Sequence, residues 1–361
     1  MSKKSINIGN VKVGEDGIVS IQSMTNTPTD DIIATSAQIA ELAKEGCDIV
    51  RVAVPDFKAV DALSEIIKQS PIPVIADIHF DYKLAIGAIK AGIHAIRINP
   101  GNIGSAERVK EVAELAKEYK VPIRVGANSG SLPKGLYEEN LKKLKNRTEA
   151  MAESLVVAAL EQCKLLEDCG FSDIKVSLKS SEVPATVKAY RKFAEIADYP
   201  LHIGVTEAGT FLKGTVKSAV GIGSLILDGI GDTLRVSLTA DPVEEIKIAK
   251  LILESVGLRN PQPEIVSCPS CGRTEIGLFD LVDKVENLIE NIKASGKEIN
   301  IKKLAVMGCV VNGPGEAKDA EIGIAGGKGK IAIFKAGKLI GTYSENEGFE
   351  KFKEEILKYI K

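Results

Sequence analysis

Asp48-Ile49-Val50-Arg51-Val52-Ala53-Val54 is a short apolar run with one arginine at its centre. The same apolar–basic–apolar core returns at Ile96-Arg97-Ile98, Ile123-Arg124-Val125 and Leu234-Arg235-Val236. Ile174-Lys175-Val176 and Leu201-His202-Ile203 are variants of it. Working outward, eight such runs read as strands: Ile18–Ser23, Asp48–Val54, Pro73–Ile78, Ala95–Asn99, Pro122–Gly126, Asp173–Leu178, Leu201–Val205 and Thr233–Leu238. A segment of helical period follows each. Asp31–Glu45 gathers Ile32, Ile33, Ile39, Leu42 and Ala43 on one face, and Asp241–Val256 opens with Asp-Pro, a cap and a favoured first helical residue. Eight strand–helix units in residues 1–258 predict an α/β fold, a closed (β/α)8 or TIM barrel. An open doubly wound sheet is the structural alternative.

Four arginines at matching strand positions would bury four charges, and unpaired burial is costly. They are better used lining the barrel mouth around a shared anion, where planar guanidinium forks suit phosphate oxygens. Structural arginines paired within the barrel are the alternative. Polar residues gather just after the same strands, where barrel active sites form. They are Asp77 and His79, Asn99 and Asn102, Asn128 with Ser129 and Ser131, Lys179, Thr206 and Glu207, and Ser237. Glu207, flanked by small residues, reads as a general acid whose pKa crowding and burial raise, or as an ordinary helix-start glutamate. Gly221-Ile222-Gly223 reads as a turn on the opposite rim.

The composition of the 361-residue chain narrows the classes further. Hydrophobic residues are 44% and charged residues 27%, the balance of a globular protein rather than a disordered one. A net charge of -2 argues against a nucleic-acid binder, and 4% aromatics with no tryptophan supply few stacking platforms. No secretion signal opens the sequence and no apolar stretch is long enough to span a membrane, so a cytoplasmic protein is predicted.

After Gly257 a stiff linker, Leu258-Arg259-Asn260-Pro261-Gln262-Pro263, leads to a small α+β domain over residues 264–361. Cys47, Cys163 and Cys169 of the barrel read as buried apolar residues. Cys268, Cys271 and Cys309 differ, because each sits in turn chemistry beside proline and glycine. The three histidines, His79, His94 and His202, all lie in the barrel. A fourth ligand must come from elsewhere, and Glu316 follows Cys309 across Gly313-Pro314-Gly315. Three thiolates and one weak oxygen ligand suit an iron–sulfur cluster with an exchangeable iron. Zinc, or a redox pair at Cys268 and Cys271, stays open on spacing alone.

Four motifs together carry a resemblance: Ser177-Leu178-Lys179-Ser180-Ser181, Gly204-Val205-Thr206-Glu207-Ala208-Gly209, Cys268-Pro269-Ser270-Cys271-Gly272-Arg273, and Gly308-Cys309-Val310-Val311-Asn312-Gly313-Pro314-Gly315-Glu316. They closely resemble the 4-hydroxy-3-methylbut-2-en-1-yl diphosphate synthase family, in its two-domain bacterial form. The resemblance implies reductive opening of 2-C-methyl-D-erythritol 2,4-cyclodiphosphate with loss of one oxygen as water, late in the non-mevalonate route to isoprenoids. It implies two electrons from flavodoxin or ferredoxin, carried by a 4Fe-4S cluster on Cys268, Cys271, Cys309 and Glu316. Diphosphate contacts then fall on Arg51, Arg97, Arg124, Asn128, Lys179, Arg235 and Ser237, with Glu207 as the barrel glutamate. A non-redox barrel enzyme on a phosphorylated substrate, with a structural zinc domain, is the competing class.

The linker raises a further expectation. Asp241–Val256 descends about 24 Å from the mouth side to the opposite rim. Gly257–Pro263 spans at most about 25 Å, and its prolines restrict its path. A cluster on that tether reaches a neighbour's mouth more readily than its own, which predicts a head-to-tail homodimer with shared sites, in agreement with the resemblance. Lys297, Lys302, Lys303, Lys328 and Lys330 cluster in the second domain and read as a docking face for an acidic electron donor or as an ordinary solvated lysine-rich surface.

Overall fold

The computed structural model describes residues 2–15, 18–259, 263–309 and 319–360. It divides into two compact units, Met1–Leu258 and Arg259–Lys361.

The first unit is the barrel. Its strands are β3 (Ser20–Met24), β4 (Ile49–Ala53), β5 (Val74–Asp77), β6 (Ala95–Arg97), β7 (Ile123–Asn128), β8 (Ile174–Lys179), β9 (His202–Ile203) and β10 (Thr233–Leu234). All pair in parallel, in the order β8-β7-β6-β5-β4-β3-β10-β9. A parallel bridge from Val176 to Leu201 joins β8 to β9 and closes the ring. Around it run α1 (Ile32–Glu45), α2 (Phe57–Gln69), α3 (Tyr82–Lys90), α4 (Ala106–Tyr119), α5 (Leu136–Leu144), α6 (Arg147–Glu167), α7 (Val183–Ile196), α8 (Phe211–Leu227) and α9 (Pro242–Ser255). Asp31, Asp56 and Asn146 cap α1, α2 and α6 by accepting a backbone N–H of the first turn. The apolar residues of the strands that face outward meet the inner faces of these helices in one continuous core.

Two features depart from the expected pattern. Before the barrel, β1 (Ser5–Ile8) and β2 (Val11–Gly14) form an antiparallel hairpin. Gly9 takes φ +57° at its turn, a left-handed conformation that glycine adopts without strain. Ile6, Ile8 and Val13 of the hairpin pack on Ile49, Ile75 and Ala95, at or near the starts of three barrel strands, and plug the bottom of the barrel. Gly221 and Gly223, expected to form a turn, lie within α8. A Cβ at Gly221 would come within 2.8 Å of Val205, so glycine there sets how closely the helix approaches the strand end.

The second unit is a five-stranded sheet in the order β11-β12-β13-β14-β15. The strands are β11 (Glu264–Ser267), β12 (Lys303–Met307), β13 (Ile322–Gly327), β14 (Lys330–Lys335) and β15 (Lys338–Ser344). β11, β12 and β13 are parallel, and the last two pairings are antiparallel. Helices α10 (Leu278–Ala294) and α11 (Glu345–Leu357) contribute Val285, Ile289, Phe352 and Ile356 to a core with Leu304, Val306, Ile322 and Ile324.

Candidate active site

Side chains in a TIM barrel's interior are mostly branched and apolar. Here only the lowest layer is. Above it the strand register places Asp77 beside Arg97, Arg97 beside Arg124, and Arg124 beside Lys175 on four successive strands. Further along β7 and β8, Asn128 lies beside Lys179. Arg51, Arg97, Arg124, Lys175 and Lys179 are all buried, and Arg235 is half-buried just beyond β10.

Three carboxylates answer these six basic groups: Asp77, Glu245 and the buried Asp232, which acts on Lys175. Asp77 meets Arg51 at 3.4 Å and Arg97 at 3.0 Å from opposite sides. His79, at 3.6 Å, is its third neighbour. Burial alone would raise the pKa of Asp77, but Arg51, His79, Arg97 and Arg124 together hold it well below the ordinary carboxylate range. The second is Glu245 on α9, 3.8 Å from Arg235. It also accepts the Leu238 backbone N–H (2.9 Å) and the Ser23 hydroxyl (3.3 Å). Burial raises its pKa, against the pull of Arg235.

Arg124 forms no ion pair among the described residues, and its Nε and Nη1 have no hydrogen-bond partner. The ammonium of Lys175 likewise has none. Burial, then repulsion from Arg51 and Arg97, pushes the pKa of Arg124 well below its usual value. Lys175 and Lys179 are pushed down by burial and by Arg124. Arg51 falls to about 10 through burial, despite Asp77. Such a concentration of buried, under-neutralised cations has the chemistry to hold an anion. Gly126 and Gly204 leave the space. A Cβ at Gly126 would stand 2.6 Å from the Ser177 hydroxyl, and one at Gly204 would stand 3.0 Å from the Lys179 ammonium.

The structure thus brings together Arg51, Arg97, Arg124 and Lys179, with Arg235 beside them, Asn128 half-buried at the end of β7 and Ser237 half-buried after β10. It also shows that the two readings of the arginines divide. Arg51 and Arg97 share Asp77, Arg235 leans on Glu245, and Arg124 stays unpaired. Sequence reading missed Glu245, which sits within a helix and gives no motif. It also set Lys175 aside, although the repeat contains it. For Glu207 the premise of burial is corrected. Glu207 is exposed in the turn after β9, with φ +51°. Left-handed backbone costs a non-glycine residue about 1–2 kcal/mol, and such strain concentrates at functional sites.

In the second unit, Cys268 follows β11 and Cys309 lies two residues after β12. Because the two strands are adjacent and parallel, both cysteines come to the same sheet end. The Gly308 N–H donates to Cys268 Sγ at 3.1 Å. Cys271 is exposed, and hydrogen bonds from Arg273 and Thr274 lower its pKa, favouring the thiolate. Three sulfurs at one edge, one of them taking a backbone N–H, form a donor set that fits an iron–sulfur cluster. Among the described residues no three such side chains converge as ligands of one metal ion. A four-iron cluster takes one ligand per iron and so draws on sulfurs spread more widely. Glu316 lies outside the described residues. The expected lysine face is divided: Lys328 and Lys330 stand at the cysteine end of the sheet, while Lys302 and Lys303 stand at the other. Glu275, which accepts the Lys328 backbone N–H, belongs to the cysteine end as well.

Family models match both units: the GcpE TIM-barrel domain over residues 3–250 and the GcpE protein C-terminal domain over residues 264–358. The chain belongs to the GcpE family. It is 52% identical over 353 residues to a 4-hydroxy-3-methylbut-2-en-1-yl diphosphate synthase (flavodoxin) of Clostridium acetobutylicum, covering 98% of this chain and 97% of that one. A protein of the same name from Geobacter sulfurreducens is 50% identical over 357 residues, covering 99% and 98%. Among solved structures, 3-dehydroquinate dehydratase from Geobacillus kaustophilus matches 71% of this chain and 98% of its own with a TM-score of 0.50. At 16% identity that match speaks for the barrel alone. Membership of the GcpE family places the chain among oxidoreductases of isoprenoid synthesis. The competing class, a non-redox barrel enzyme with a structural zinc domain, finds no support in these relatives.

Proposed function

We propose that the barrel mouth binds 2-C-methyl-D-erythritol 2,4-cyclodiphosphate and that its ring is opened reductively to 4-hydroxy-3-methylbut-2-enyl diphosphate, one oxygen leaving as water. The observation that carries this reading is the uncompensated charge around Arg124. A diphosphate supplies the negative charge that Asp77, Glu245 and Asp232 do not. Arg51, Arg97, Arg124, Lys179 and Arg235 contact its oxygens, with Asn128 and Ser237 donating hydrogen bonds from the rim. Held in this way, the substrate loses much of the negative charge that would oppose added electrons. Cys268, Cys271, Cys309 and Glu316 would hold a 4Fe-4S cluster, which would relay, one at a time, the two electrons that the reduced donor supplies and the ring opening consumes. Glu207, exposed on the mouth side after β9, hands a proton to the departing oxygen.

The relatives' names point to flavodoxin as the electron source, with ferredoxin as the alternative. Arg273, Lys328 and Lys330, at or near the cysteine end of the second unit, suit an acidic donor. No helix among the described residues is long and apolar enough to cross a membrane, which accords with a cytoplasmic enzyme. The working unit is a homodimer in which each barrel uses its neighbour's cysteines. In support, α9 starts after β10 and ends beside α1, where Lys250 binds Glu45 at 2.9 Å, so the chain leaves the barrel at the rim opposite the mouth.

The test is protein purified without oxygen, analysed for iron, sulfide and zinc, then given the cyclic diphosphate and reduced flavodoxin. Iron with sulfide and formation of the linear diphosphate are expected. Zinc in place of iron, with no product, overturns the reading.

A further inference from the structure

The apolar–basic–apolar repeat is not uniform. Four of its strands carry arginine, whose guanidinium stays protonated in proteins. On β8 and β9 the same position is Lys175 and His202, two groups that can gain or lose a proton. Both are fully buried, and the substrate contacts assigned above use neither. β8 turns Lys175, Ser177 and Lys179 to one side, so Lys175 lies deeper in the barrel than Lys179 and level with Arg124 on β7.

The surroundings of Lys175 oppose a charge. Burial acts first, then Arg124 of β7 and Arg51 of β4. His202 of β9 is held neutral by burial and by Lys179, Arg124, Lys175 and Arg51. Asp232, before β10, is the carboxylate that favours the ammonium, and it already accepts the Leu201 N–H (2.7 Å) and the Ser2 N–H (3.2 Å). Tyr190 of α7 donates its hydroxyl to the His202 carbonyl at 2.6 Å.

Acceptors for an ammonium nevertheless share this interior. Gln22 Oε1, Ser177 Oγ and His202 Nε2 are buried with no hydrogen-bond partner among the described residues, as is Lys175 Nζ itself. The His202 tautomer that donates Nδ1–H to Thr233 Oγ1, 2.9 Å away, presents Nε2 as an acceptor. An ammonium has three N–H groups to give.

An anion on Arg124 reverses the balance. A cyclic diphosphate carries two negative charges and has no second ionisation near neutrality, because each phosphorus bears a single acidic hydroxyl. At an effective dielectric of about 20, one charge roughly 6–8 Å away changes a proton affinity about thirty- to hundredfold. Two such charges favour the ammonium roughly a thousandfold or more.

We propose that Lys175 is uncharged in the substrate-free protein and takes up a proton as the diphosphate settles on Arg124, supporting the anion through Arg124 rather than by touching it. This deepens the diphosphate reading of the barrel mouth and rests on it. Substrate affinity then falls as pH rises, about tenfold per pH unit for each proton taken up.

The test is calorimetric titration of protein purified without oxygen with the cyclic diphosphate, no electron donor being present, at about pH 8 in buffers of different ionisation heat. The dependence of the observed heat on the buffer counts the protons taken up. The parent is expected to take up about one to two, because Lys179 is depressed in the same way. Lys175→Met should take up about one fewer, and its affinity should change less steeply with pH. A merely structural lysine would shift Tm and leave the proton count unchanged, so equal uptake in parent and variant overturns the proposal. A parent that binds with no uptake overturns it too, and both results leave the diphosphate reading standing. A parent that does not bind removes that reading and the proposal with it. Lys179→Met covers the case in which Lys175→Met misfolds. At saturating ligand it should still take up about one proton, and uptake near zero overturns the proposal.

Discussion

Arg124→Met should make the substrate-free protein more stable and the enzyme nearly unable to bind its substrate. Arg124 is buried, unpaired and surrounded by other cations, so in the empty barrel its charge is a cost. Replacing uncompensated buried charge by an apolar side chain of similar volume is worth about 1–4 kcal/mol. A gain of about 2 kcal/mol in a unit this large raises Tm by roughly 4 °C. Binding moves the other way. Two charge-assisted hydrogen bonds to phosphate, at about 1.5–3 kcal/mol each, amount to about 3–6 kcal/mol. That is a loss of affinity of roughly a hundredfold to ten-thousandfold. Thermal unfolding by circular dichroism and calorimetric titration with the cyclic diphosphate measure the two halves. Arg97→Met is the control. It takes from Asp77 a partner at 3.0 Å and should lower Tm. If Arg124→Met melts below the parent, as Arg97→Met does, Arg124 is a structural residue and the reasoning is wrong.

Other outcomes follow from the same geometry. Cys268→Ser, Cys271→Ser or Cys309→Ser should abolish visible absorption and activity together, whereas Glu316→Gln should keep some absorption and react poorly; full activity in Cys309→Ser would remove the cluster assignment. Glu207→Gln should bind substrate normally and turn over slowly, so unchanged turnover would dismiss it as the acid. Asp77 has a lowered folded pKa, so its stabilising effect is complete above the unfolded value of about 3.9 and declines as pH falls below it. The Tm gap between the parent and Asp77→Asn should therefore be widest near neutrality and shrink below about pH 4, and a gap independent of pH contradicts the pairing. Mixing Arg124→Ala with Cys309→Ser, each inactive alone, should restore activity in mixed dimers; confirmed exchange without activity means each chain uses its own cysteines.

Much of the fold was legible because barrel strands announce themselves. A run such as Ile123-Arg124-Val125 is too short and too apolar for a surface helix, and its recurrence fixed the unit count. The hairpin was missed although its signal was present: Ile6 and Ile8, then Gly9-Asn10, then Val11 and Val13, is alternation broken by a two-residue turn. Gly221 and Gly223 misled because glycine marks turns more often than close helix packing. At the site, the arginines were readable as a set because charge in a buried strand demands a reason. Their division into paired and unpaired was not, since it depends on Glu245 arriving from a helix after β10 and on Asp77 standing between two neighbouring strands. The exposure of Glu207 was equally hidden, because small flanking residues suit a tight turn as well as a crowded pocket.

The barrel's ring has a consequence for how the protein is made. β3 lies near the start of the chain, yet its partner on one side is β10, more than two hundred residues later. At about 5–20 residues per second a ribosome needs roughly 10–40 s to supply that partner. The hairpin's partners, Ile49, Ile75 and Ala95, emerge far sooner. The nascent chain can therefore seal its base while one flank is still open, with the edge of β3 exposed to any passing strand. Chaperone dependence should fall sharply once translation passes Leu234, when the edge finds its own mate.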